Sequence, residues 1–156
     1  MKYRILTDEE LSHLADDFKQ FLIVTGVHAE EWEEMNRTDI PKAIQLVEIF
    51  SDTVLQKVYE KIVYLEFRSI DSCMVFNFGP ASVKLISMQR KPDSNCDLST
   101  PESIHAALSN AINEVSFFRS EKPYGTTREE EIHKMIEQGC FVSSAEFWNL
   151  LEHVLN

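Results

Sequence analysis

The fold turns on VYLEFRSIDSCMVFNFGPASVKLISM, residues 63–88. Upstream of this stretch apolar residues recur every three or four positions, and inside it they recur every second position. Val63, Leu65 and Phe67 alternate with Tyr64, Glu66 and Arg68; CMVFNF and SVKLISM follow, and GPAS supplies the turn between them. Three strands consecutive along the chain pair most simply with their neighbours, so the spacing predicts a three-stranded antiparallel meander.

On the N-terminal side, LTDEEL carries a helix start. Thr7 is the N-cap, Glu10 reaches back three residues later, and Leu6 faces Leu11 as a staple. Leu11, Leu14, Ala15, Phe18, Phe21 and Leu22 keep helical spacing up to Gly26, a left-handed terminator. HAEEWEEMN predicts a short acidic helix. DIPK opens a longer one with Pro41 in its first turn, and Ile44, Val47, Phe50, Val54, Val58 and Ile62 carry its stripe to about Lys61.

Beyond the meander, Arg90 to Thr100 is polar and predicts a loop. STPES opens a helix with Ser99 or Thr100 as cap and Ile104, Leu108, Ile112 and Val115 inward. FFRSEKPYG reads as irregular, and two further helices close the chain. In GCFVSSAEFW, residues 139–148, Gly139 stops the first of these by adopting positive φ. Ser143 is expected to cap the second, with Glu146 completing the box and Val142 stapling onto Phe147. Phe147, Leu150, Leu151, Val154 and Leu155 then face inward. The expected architecture is α+β in a single domain over residues 1–156: N-terminal helices, a small three-stranded antiparallel meander, and C-terminal helices packed on it.

A chain of 156 residues, 44% of them hydrophobic, suffices for one core. A formal net charge of -11 repels polyphosphate, so neither nucleic acid nor an anionic bilayer is an expected partner, whereas basic proteins and cations are compatible. No run approaches the roughly 18 apolar residues of a membrane span. MKYRILTDEEL places only Ile5 and Leu6 between its positive charges and its first acids, which makes no signal-peptide core. Cys73, Cys96 and Cys140 are odd in number and form no CxxC pair, as expected of reduced thiols in a cytoplasm.

Few residue patterns point to chemistry. Cys140 with His133 upstream could be a nucleophile and base, but a thiolate needs a cationic or helix N-terminal setting, and the helix junction already accounts for Cys140 as a small buried group. Glu102 with His105 and Glu130 with His133 are Glu-x-x-His pairs, each putting two metal-ligand types on one helical face. The di-iron pattern also needs further glutamates on a bundle, which a central sheet interrupts. HExxH and GxSxG are missing, and four glycines offer little for a phosphate loop.

Two surface features suit contacts. Glu30, Glu31, Glu33 and Glu34 surround Trp32, reading either as a docking patch for a cationic partner, with the indole as a cation–π face, or as a solvated helix face with Trp32 turned inward. Phe117, Phe118, Arg119 and Tyr124 read either as a binding rim or as the end of the core followed by a turn. The expected function is therefore that of an acidic, soluble binding protein without catalysis or cofactor, contacting a protein partner or itself. A metal-dependent enzyme built on Glu102, His105, Glu130 and His133 is the alternative.

MKYRILTDEEL, FLIVTGVHAEEW and VEIFSDTVLQKV together resemble a family of small uncharacterised bacterial proteins that open with the pattern MKYR-x-LT-x-EEL. The likeness is strongest up to the meander. It implies a cytoplasmic bacterial protein of about this length and brings no activity with it.

Overall fold

Thr7 begins the first helix as its residues dictate: its hydroxyl accepts the Glu10 amide while the Glu10 carboxylate accepts the Thr7 amide. The expected single helix is two in the computed structural model, which describes residues 1–156: α1 (Asp8–His13) and α2 (Ala15–Val24) meet at Leu14. Gly26, at φ +82°, closes α2 by sending the Val27 amide to the Leu22 carbonyl at 2.8 Å. Then come α3 (Ala29–Thr38) and α4 (Ile40–Lys61), both at the expected positions.

The chain divides into two compact units, residues 1–59 and 60–156. In the first, α4 buries Ala43, Phe50, Leu55 and Tyr59, while Ile44 and Val58 of the expected stripe are exposed. Adjacent helical positions lie about 100° apart, and apolar residues occupy both rows, so periodicity alone could not choose between them. Ser51 lies fully buried, donating to the Val47 carbonyl and accepting the Leu6 amide at 3.0 Å. Asp52 accepts the Lys2 and Tyr3 amides, so the N-terminal segment is pinned along α4. Phe18, Phe21 and Phe50 form an aromatic cluster with centroids 5.0–6.0 Å apart.

In the second unit the predicted meander is the centre of a larger sheet. Strands β1 (Tyr64–Arg68), β2 (Ser72–Phe78) and β3 (Ser82–Arg90) pair as expected, with Leu65 opposite Phe76 and Phe76 opposite Leu85. Strand β4 (Val115–Pro123) adds along β3 and β5 (Phe141–Val142) along β1, giving a five-stranded antiparallel sheet in the order β4-β3-β2-β1-β5. The three-stranded expectation missed the outer strands for a physical reason. An edge strand held by ladder hydrogen bonds needs no apolar alternation, and only Val115 of β4 is buried. Two residues of β5 are too few to show a period.

One face of this sheet presents Cys73, Val75, Ile86, Met88 and Val115, over which lie Ile104 and Ala107 of α5 (Pro101–Asn110) and Trp148 and Leu151 of α7 (Ala145–Leu155). Leu98 from the preceding loop completes this core; its amide is held by the Ile70 carbonyl at 2.9 Å. Trp148 is buried and Leu150 exposed, the reverse of the expected inward set. Helix α5 ends at Asn110, so Ile112 lies in a short 3₁₀ turn and is exposed. Helix α6 (Arg128–Glu137) ends at Gly139, φ +107°, where a Cβ would stand 3.4 Å from the Phe67 ring.

The cap of α7 also moves by one residue. The Ser143 amide is bound to the Tyr64 carbonyl at 3.0 Å, continuing the β5 pairing, so Ser144 becomes the N-cap and its hydroxyl accepts the Phe147 amide at 3.2 Å. The expected Ser143–Glu146 box does not form, and Val142, 61% exposed, staples nothing.

Candidate functional site

The acidic helix α3 and the first turn of α4 border a shallow, open groove of about 360 Å³ lined by Glu30, Glu31, Glu34, Asp39 and Lys42 over Met35. Glu34 pairs with Arg37 one turn on, whereas Glu30 and Glu31 form no ion pair. Trp32 is turned elsewhere: its indole meets the Phe18 ring edge-on at 5.1 Å, and it borders a second groove, about 480 Å³, with Leu6, Leu11 and Ile44. Three of the four expected residues, Glu30, Glu31 and Glu34, are thus brought together without the indole. Asp39 and Lys42 join them across the break between α3 and α4, where Asp39 leaves the helical conformation, a juxtaposition that spacing does not announce.

In the second unit, α5 and α7 part above strand β1 to leave a cleft of about 330 Å³. Its floor is Glu66 and Arg68, whose side chains are only 5% and 15% exposed. Strand alternation puts both on the same face, two residues apart. Glu66 Oε2 lies 2.5 Å from Arg68 Nε, but the two are not aligned as donor and acceptor, so each is buried without a hydrogen bond. The guanidinium lies over the rings of Phe141 and Phe147, at 5.3 and 5.8 Å. Opposite Arg68 in the ladder is Cys73, whose thiol is pushed up to about 12, first by burial and then by the Glu66 charge.

His105 and Glu146 stand at the rim of this cleft, and Ile104, Phe147 and Leu150 form its apolar wall. The first turns of α5 and α7 both open onto it through Pro101 and Ser144. Such an arrangement offers acceptors and donors side by side against an apolar wall. Neither Glu66 nor Arg68 stood out in the sequence, because alternation marks them only as the polar partners of Leu65 and Phe67. Strands β2 and β3 carry apolar residues on both faces, Cys73, Val75, Ile86 and Met88 on one and Phe76, Phe78, Val83 and Leu85 on the other, so nothing in the sequence marked the face of Glu66 and Arg68 as the one the helices cover.

The metal-type pairs fall on different helices: Glu102 and His105 on α5, Glu130 and His133 on α6. No group of three or more His, Cys, Asp or Glu side chains gathers as a metal-holding set. His105 reaches the cleft without its sequence partner Glu102.

A family model covers residues 1–156, well past the N-terminal stretch that carried the resemblance. The chain belongs to DUF6495, a family of unknown function. No curated protein and no solved structure gives a significant match.

In this DUF6495 chain the residues of the expected rim divide between the two faces of the sheet, Phe117 falling on the face of Arg119 and packing against the core. Along β4, Phe118 and Arg119 point to opposite faces; Phe118 is 62% exposed, and Arg119 Nη2 bonds Glu152 at 2.9 Å. Tyr124 closes the turn between β2 and β3, its hydroxyl donating to the Gly79 and Ser82 carbonyls at 2.6 and 3.1 Å and its ring stacked on Phe78. Burial raises its phenol above the ordinary value. Burial alone raises the Cys140 thiol, with no cation opposing it, so the thiolate a nucleophile requires is disfavoured. No helix of the chain is long and apolar enough to cross a membrane.

Proposed function

We propose that the chain is a non-catalytic binding protein whose acidic groove on α3 takes a basic segment of a protein partner. The observation that carries the reading is that Glu30 and Glu31 line a groove with Glu34 and Asp39 yet form no ion pair of their own. Unpaired carboxylates clustered on one surface attract lysine and arginine side chains and speed encounter with them. A second copy would bring the same sign to the same groove, and a net charge of -11 opposes it further, so a basic partner is favoured over self-association. Three free cysteines support placing this work in a reducing cytoplasm.

The direct test is calorimetric titration of an oligolysine peptide against the native chain and against the Glu30→Lys, Glu31→Lys double variant. Binding should weaken with added salt and fall at least about tenfold on charge reversal. Affinity indifferent to both changes would remove the groove from consideration. We further propose that residues 1–156 act as one cooperative domain, because α4 is continuous through the boundary between the units. Two resolved calorimetric transitions would overturn that.

A further inference from the structure

The cleft between α5 and α7 has no part in the binding reading above, and its floor is unusual. An ion pair removed from water is expensive unless hydrogen bonds satisfy both members. Here Glu66 Oε2 and Arg68 Nε touch at 2.5 Å without the alignment of a hydrogen bond. The guanidinium lies over the rings of Phe141 and Phe147, and the Glu66 and Arg68 side chains are only 5% and 15% exposed.

The charges around the cleft select a class of ligand. A simple anion would meet Arg68, His105 and the first turns of α5 and α7, and would also meet Glu66 and Glu146. A simple cation would face the opposite conflict at Arg68. A molecule carrying an ammonium and a carboxylate a few ångströms apart satisfies both signs, and its hydrocarbon part fits the wall of Ile104, Phe147 and Leu150. A volume of about 330 Å³ lies within the range that suits small organic ligands. We propose that this cleft binds a small zwitterion with an apolar side chain, of the α-amino acid class, with the ammonium at Glu66 and Glu146 and the carboxylate at Arg68 and His105.

The test uses the full chain with L-leucine and L-phenylalanine as probes, and with 3-methylbutylamine and 4-methylpentanoate as singly charged counterparts of leucine. A zwitterion about tenfold above its Kd should raise the melting temperature by roughly 3 °C or more. The amine and the acid should each give a much smaller shift at the same concentration. Glu146→Gln changes only an exposed residue and should weaken calorimetric binding about fivefold or more. Leu150→Trp, which fills the cleft without altering any charge, should abolish it. Equal shifts from the amine alone or the acid alone would overturn the zwitterion assignment in favour of a simple ion site. Absence of any shift with both amino acids, or full binding by Leu150→Trp, would remove the site altogether.

Discussion

Replacing Glu66 by alanine tests the most consequential contact in the second unit. The carboxylate is 5% exposed and its partner Arg68 is 15% exposed, so the variant strands a guanidinium that water barely reaches. Stranding one member of a buried pair costs about 3–5 kcal/mol. Because Arg68 keeps its aromatic neighbours and some solvent contact, the lower end, about 3 kcal/mol, is expected, or roughly 10 °C in melting temperature. Glu66→Leu combined with Arg68→Met removes both charges at similar volume and should recover most of that loss. Glu152→Ala breaks the Arg119 pair, whose members are 47% and 37% exposed, and should cost less than about 1 kcal/mol. Urea unfolding of the four proteins, followed by far-UV circular dichroism, measures all the differences. If Glu66→Ala costs no more than Glu152→Ala, or if the double variant is as unstable as the single one, the burial argument fails.

Three further outcomes follow from local structure. Ser144→Ala should cost about 1 kcal/mol by removing the acceptor of the Phe147 amide, while Ser143→Ala, which deletes a buried hydroxyl without a partner, should be neutral or slightly stabilising; denaturant midpoints compare them. Cys73 and Cys140 should resist iodoacetamide in the native protein near neutral pH, since burial raises both thiols and leaves little thiolate; mass spectrometry showing fast labelling at Cys140 would contradict this. Arg4 and the Thr7 amide hold the Glu10 carboxyl down from 4.5 to about 2, so its contribution is complete above the ordinary value and is lost as pH falls through about 2. The melting difference between wild type and Glu10→Gln should therefore shrink across that acid window, and a difference that persists below it would exclude this linkage.

Helix starts and stops were the most legible features, because capping is local. Thr7 with Glu10, Thr100 with Pro101, and the positive φ of Gly26 and Gly139 each depend on residues within one turn. The same logic erred at Ser143. Its neighbour Ser144 satisfies the same local rule, and a hydrogen bond to Tyr64, far away in sequence, assigned the cap. Glu30, Glu31 and Glu34 were legible as an acidic face, but Asp39 and Lys42 entered their groove across the break between α3 and α4.

Residue order was enough to establish the helix–sheet–helix succession, the central meander, the acidic character and the scarcity of catalytic motifs. These follow from periodicity, capping and charge, which act over a few residues or over the whole composition. Long-range pairing settled the rest: β4 and β5 join the sheet because backbone amides and carbonyls bond whatever their side chains are, and Trp148 displaces Leu150 from the core. Glu66 and Arg68 came to lie beneath two helices in the same way, since burial depends on what packs above a strand and not on the strand's own alternation.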